Sequence, residues 1–256
     1  GERLADDATR SVSRVATWSR WLGLLSLGFA GFCVLGIHVR LLSPFLGFRL
    51  FQLGVLGGLV ALVLGVVAIV RTRGGRDIAG QKSARVAAAC GGALVLFVLV
   101  GALQGRGAPV INDVTTDVEH PPAFGPAARE PDNAGRDMGF PPEFAAIVRE
   151  RYPELRPVEL SLPPRAAFER SLTAAEALGW EVTWSDPEAG AFEAREVSPI
   201  FRFVDDVRVR VRASGTGSVV DLRSKSRVGR GDLGANAARI RAFAERLRPH
   251  AQGDNH

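Results

Sequence analysis

The sequence is short of several residue types, and each shortage excludes something. Only Cys33 and Cys90 are cysteine, and both lie in apolar runs. The second half has none, so it carries no disulfide, no thiolate nucleophile and no cysteine metal site. Histidine is nearly as scarce. Beyond residue 106 it occurs only at His120, His250 and His256, which leaves carboxylates for any general acid–base work. Neither a G-x-S-x-G nor an S-x-x-K nucleophile signature occurs. Lysine is confined to Lys82 and Lys225, and arginine supplies the remaining positive charge. With abundant Ala and Gly, this fits the codon usage of a GC-rich bacterial genome.

Acidic residues are missing from the first part of the chain. Residues 1–106 hold 12 of the 32 Lys+Arg but only Glu2, Asp6, Asp7 and Asp77 among the 27 Asp+Glu. The remainder holds 20 basic and 23 acidic residues. The high pI therefore belongs to the first part, and the slightly acidic second part lacks the basic footprint of a nucleic-acid module.

What the first part has is apolar length. Trp18–Val39, Leu50–Val70 and Ala84–Leu103 are each about 20 residues, enough to cross a ~30 Å hydrocarbon core as helix. The first is too long for a signal peptide and lacks a small-residue cleavage pattern. None holds a central Asp, Glu or Lys, so ion transport by these spans alone is not expected. In the second, Gly54, Gly58, Ala61, Gly65 and Ala68 fall on one helix face. Such a face serves either packing within the bundle or docking of another membrane subunit. Arg71, Arg73, Arg76, Lys82 and Arg85 crowd the second connection, and Arg3, Arg10 and Arg14 the N-terminal tail, against Arg40 and Arg49 in the first connection. The positive-inside rule puts the N-terminus in the cytoplasm and the C-terminal half outside.

Residues 106–142 are Gly/Pro-rich without periodicity and are expected to be mostly irregular. A short helix is expected over Pro141–Arg151, a strand over Val158–Leu162, and a helix over Pro164–Leu178 stopped by Gly179. Trp180–Trp184, Ala191–Val197, Phe201–Ala213 and Ser218–Val228 read as strands, and Asp232–Arg248 as a closing helix. The expected fold is α+β: an antiparallel sheet in the order β-α-β-β-β-β-α, with two long helices on its one apolar face. On the other face Arg208, Arg210 and Arg212 alternate beside Asp221, Arg223, Lys225 and Arg227. Left open, that face is either a solvated surface or a site for lipid headgroups, an envelope polymer or an acidic partner.

Other clusters have modest readings. Gly229–Gly234 matches G-x-G-x-x-G, but no parallel strand follows, so Asp232 is expected to cap the last helix instead of a nucleotide. Asp113, Asp117, Glu119 and His120 match no metal-loop spacing, and Asp, Asn and Thr here suit loop hydrogen bonds. Adjacent Asp205 and Asp206 point to opposite faces of a strand, and one is expected to pair with Arg202, Arg227 or Arg239. Asp113, Thr116, Asp117, Arg202, Asp205, Asp206, Asp232, Asn236 and Arg239 thus form the candidate polar network. No metal and no cofactor is expected.

The run Asn112–Asp117 with Pro121–Phe124, then Phe201–Arg210, then Arg223–Gly229 leading into Asp232–Arg241, resembles the bacterial family catalogued as domain of unknown function 1499. Gly231 departs from it, a small polar residue being usual before this Asp. The resemblance spans about residues 110–248 and implies a domain identity and an envelope setting, with no reaction attached. The resulting expectation is a three-span anchor (1–105), an extracytoplasmic domain (106–250) and a disordered tail (251–256). Placed at the bacterial inner membrane, it reads first as a non-enzymatic interaction or accessory module with membrane lipids, and another membrane subunit, as partners. A lipid- or anion-binding sensor and a carboxylate-based hydrolase or isomerase are the alternatives.

Overall fold

The computed structural model describes residues 2–71 and 78–248. Arg73, Arg76 and the 251–256 tail lie outside the described residues. The chain divides into two compact units: one runs to Gln104 and includes Pro199–Arg202, the other holds Gly105–Ser198 and the chain from Phe203.

The first unit is three helices, α1 (Glu2–His38), α2 (Pro44–Arg71) and α3 (Ile78–Gln104). Within them Arg14–His38, Pro44–Arg71 and Gly80–Gln104 are long and apolar enough to cross a membrane. Chain reversal between α1 and α2 puts Arg40 at φ 60°, and the N–H groups of Leu41 and Leu42 both donate to the Gly36 carbonyl. Pro44 then starts α2, where its missing N–H costs nothing. The small-residue stripe faces inward: Gly54, Gly58, Ala61, Gly65 and Ala68 are all buried. A Cβ on Gly54 would stand 3.2 Å from the Ser26 carbonyl of α1, and one on Gly65 2.8 Å from the Ala84 carbonyl of α3. These positions are filled by the chain's own helices. Leu53, Leu56, Val60 and Val63 of α2 remain exposed on the outside, as a lipid-facing surface requires.

The second unit is an α+β domain with one six-stranded antiparallel sheet. Its elements are β1 (Asp113–Thr115), α4 (Pro142–Arg151), β2 (Val158–Leu160), α5 (Pro164–Ala177), β3 (Glu181–Asp186), β4 (Ala191–Val197), β5 (Val204–Ser214), β6 (Gly217–Ser226) and α6 (Ala235–Leu247). The strands lie in the order β1-β6-β5-β4-β3, and β2 shares the outer edge of β6 with β1. Two single 3₁₀ turns, Pro126–Arg129 and Pro131–Asn133, lie between β1 and α4.

The element order expected from periodicity needs one correction. It omits β1, because residues 106–142 hold no alternating pattern long enough to signal a strand. Three residues suffice here since β6 is already ordered: Asp113, Val114 and Thr115 pair with Lys225, Ser224 and Arg223. The β5–β6 hairpin closes on the two-residue turn Gly215–Thr216, with Gly215 at φ 56°.

The apolar face of the sheet buries Phe192, Ala194, Val207, Val209, Val211, Val220 and Leu222 against Phe168, Ala175, Ile240, Phe243 and Leu247 of α5 and α6. Trp180 stacks on Phe243 with centroids 5.2 Å apart. Each fully buried side chain of this size stabilises by roughly 1.5–3 kcal/mol.

Gly65→Val places methyl groups where the α3 backbone already stands. It is expected to destabilise the helical bundle by about 1–3 kcal/mol, measured by SDS titration of the full chain in mixed micelles. Gly28, whose added Cβ meets nothing within 4 Å, gives the matched control Gly28→Ala with no loss.

Candidate functional site

The charged face of the sheet follows from register. On β5 and β6, Asp206 lies opposite Lys225, Arg208 opposite Arg223, and Arg210 opposite Asp221. All these side chains point away from α5 and α6, as alternation requires. This face is not open. Residues 116–140 cross it as a strap, whose backbone and carboxylates meet Arg210, Arg212, Arg223 and Arg227.

Arg223 stands at the centre and is 1% exposed. Its Nε and Nη2 donate to the two oxygens of Asp113 at 2.9 and 2.7 Å, a bidentate pair between β6 and β1. The remaining hydrogens reach the strap: Nη2 donates to the Met138 carbonyl at 2.9 Å and Nη1 to that of Pro122 at 3.3 Å. The Phe124 and Phe140 rings approach the guanidinium at 4.9 and 5.6 Å. Lys225 donates to the same Asp113 at 2.9 Å.

The neighbouring cations are engaged likewise. Arg227 forks onto Asp206 at 2.9 and 2.6 Å and reaches Glu130 and Asp132 of the strap. Burial alone would lower its pKa, but the hydrogen bonds and charges of Asp206 and Glu130 outweigh that and hold the guanidinium above its ordinary value. Asn133 donates to Asp206 at 2.8 Å, and Arg136 to the Ser226 carbonyl. Glu193 of β4, fully buried, accepts from Arg208 at 3.0 Å and from the strap N–H groups of Gly125 and Ala127 at 2.6 and 2.7 Å. Arg208 also lies 4.8 Å over Trp184.

Arg210 and Arg212 share Asp221, donating at 2.9 and 2.8 Å, and Arg210 also donates to Asp117 and to the His120 carbonyl. These two keep contact with solvent, with side chains 26% and 49% exposed. The Asp221 hydrogen bond, set against burial, holds the Arg212 guanidinium above its ordinary value. Each of the six cations expected on this face therefore donates to a carboxylate of the same domain.

A second network lies on the helix side. Arg239 of α6 donates to Asp205 at 2.7 Å, pairs with Glu196, and reaches Ser224 Oγ and Asn236 Oδ1. Asn236 in turn donates to the Asn112 carbonyl. Asp205 and Asp206 do point to opposite faces, and both are paired: Asp205 with Arg239, Asp206 with Arg227. Arg202, at φ 55° and exposed on the turn before β5, stands apart from both networks.

The remaining candidates hold the backbone. Thr116 exchanges hydrogen bonds with both the N–H and the carbonyl of Leu222, extending β1 beyond its last paired residue. Asp117 accepts from the N–H groups of Glu119 and His120, and Glu119 pairs with Arg149. Asp113 is thus held by Arg223 and Lys225, while Asp117 and the His120 carbonyl share Arg210. The helix cap is Gly234, at φ 84°, and not Asp232. From two residues upstream Asp232 still accepts from the N–H groups of Gly234 and Asn236, both at 2.8 Å. Burial pushes its carboxyl above the usual range against the pull of those two donors.

Periodicity missed the strap contacts of Glu130, Asp132, Asn133, Arg136 and Glu193. The available signal was charge bookkeeping: an arginine-bearing face beside a Gly/Pro-rich segment carrying Asp117, Glu119, Glu130 and Asp132.

Fold and networks together define a class: three membrane-span-capable helices followed by an antiparallel α+β domain whose charged sheet face is closed by its own strap. Residues 113–247, from the start of β1 to the end of α6, match the family described as protein of unknown function (DUF1499), and the chain belongs to that family. No curated protein and no solved structure matches the chain.

Removing Arg223 leaves the buried Asp113 with Lys225 alone and takes the donor from the Met138 and Pro122 carbonyls. Arg223→Met is expected to cost about 3–5 kcal/mol, read by urea unfolding of the full chain in detergent through Trp180 and Trp184 fluorescence. Arg165→Met, from the exposed Arg165–Glu169 pair, is expected to cost less than about 1 kcal/mol.

Proposed function

We propose that this chain is a non-enzymatic accessory or interaction module of the bacterial inner membrane, with its N-terminus in the cytoplasm and its α+β domain outside. The observation that carries this reading is the pairing of the charged face. Asp113, Glu193, Asp206 and Asp221 are spent on arginines and on strap N–H groups, as scaffolding requires. A carboxylate hydrolase or isomerase instead needs two carboxylates converging on a substrate cleft. Where carboxylates do come together they are bridged by arginine: Asp117 and Asp221 by Arg210 and Arg212, and Asp206 and Glu130 by Arg227. The partial exposure of those two arginines favours one alternative, a sensor for a lipid headgroup or other small anion at that rim.

The charge asymmetry of the connections supports the orientation. A C-terminal fusion to a reporter that works only in the cytoplasm is expected to be inactive, and activity would reverse the assignment. Purification of the tagged full chain in mild detergent is expected to bring down a second membrane protein in stoichiometric amount. Recovery of the chain alone, from native nanodiscs as well, would overturn the accessory reading. A loss of binding to anionic vesicles on Arg212→Gln, in a chain recovered alone, would replace it with the sensor.

A further inference from the structure

The soluble domain receives the chain from α3 at one end of its sheet, and that end is unusually apolar for a water-exposed surface. Gly105 follows Gln104, the last residue of α3, with nothing between them. A Cβ on Gly105 would stand 2.6 Å from the Cβ of Leu233, so the loop before α6 packs directly on the first residue beyond the span. Leu233 is 65% exposed, and Val110, packed against Gly231, is 77% exposed. The Asp232 N–H donates to the Ile111 carbonyl and fixes the two segments side by side.

Two features separate this tip from ordinary surface leucines. First, Leu233 has φ 55°, a left-handed conformation that bulky side chains avoid. The domain holds a large apolar side chain in a strained backbone and leaves most of it outside the core. Second, exposed arginines flank it, Arg106 on the linker and Arg230 on the loop. An apolar tip rimmed by long cationic side chains is the composition of an interfacial anchor, whose apolar groups sit about 5–10 Å into the headgroup and acyl boundary while the guanidiniums meet lipid phosphates.

We propose that Leu233 and Val110, with Arg106 and Arg230, form a membrane-contacting tip by which the domain rests on the bilayer surface, with anionic phospholipid as the partner. Covalent continuity makes this cheap, since the tip is already held at the end of a span and ordering it costs little further freedom. The arginines used are distinct from those of the sheet face, which are paired within the domain. The inference rests on α1–α3 crossing the membrane and is independent of any protein partner.

The test uses the full chain in phosphatidylethanolamine/phosphatidylglycerol vesicles, with Cys33 and Cys90 replaced by Ala and one nitroxide label at Leu233→Cys, Glu188→Cys or Leu96→Cys. Glu188 lies in the β3–β4 turn at the opposite end of the sheet, and Leu96 is exposed on α3. Oxygen is expected to collide with the label at 233 more often than a water-soluble nickel chelate does, with the order reversed at 188. Chelate access at 233 matching that at 188 overturns the tip, as does exclusion of both reagents, which would put protein against it. Chelate access at 96 would instead overturn the spans themselves. Should the cysteine-free chain fail to fold, a benzophenone amino acid at 233 in the otherwise native chain answers the same question. Lipid adducts are expected, and adducts to protein only, or none, contradict the proposal.

Discussion

The soluble domain depends on the bidentate pair between Arg223 and Asp113. It ties β1 to β6, two segments more than a hundred residues apart, and does so where neither side chain meets water. A buried pair is worth having only when its remaining donors are also satisfied. Here the Met138 and Pro122 carbonyls accept those donors, and two aromatic rings cover the guanidinium face. The strap is thus a condition of the pair, and the pair of the strap.

The same constraint explains the rest of the charged face. Arg208 lies directly opposite Arg223, a cross-strand placement that repels unless each cation is turned toward its own anion. Glu193 draws one and Asp113 the other. Farther along, Asp206 and Asp221 take Arg227 and the Arg210–Arg212 pair. Arginine suits this role, since its planar fork satisfies a carboxylate bidentately and still has donors left for a carbonyl. The result is a two-sided sheet with an apolar core under α5 and α6 and a polar, hydrogen-bonded core under the strap.

Much of this is legible in the sequence. The turn Asp186–Gly190 marks the start of β4, clean alternation gives β5 to within a few residues, and the turn Ser214–Gly217 sets off β6. The three apolar helices declared themselves by length, and the stripe from Gly54 to Ala68 by spacing. β1 and the strap did not, for a physical reason. Their backbone groups are satisfied by distant partners, as when Thr116 bonds Leu222 and Gly125 bonds Glu193, so no local periodicity records them. Alternation puts Arg208, Arg210 and Arg212 on one side of β5, with Asp221, Arg223, Lys225 and Arg227 beside them. What the local pattern could not carry was that a segment of low complexity folds over that face. Asp232 shows the same limit on a smaller scale: it serves the start of α6 from two residues outside the cap that Gly234 provides.

The family domain begins at the first residue of β1 and ends at the last of α6, so the strap lies wholly inside it and the charged core belongs to the domain itself. That core is the central claim, and hydrogen exchange at the strap tests it most directly. The Gly125 and Ala127 amides donate to the buried Glu193 carboxylate, so both are expected to exchange as slowly as the central amides of β5 and β6. Exchange at the rate of an unstructured peptide, while β5 and β6 stay protected, would mean that the arginine face is open and that its charges are free for an external ligand.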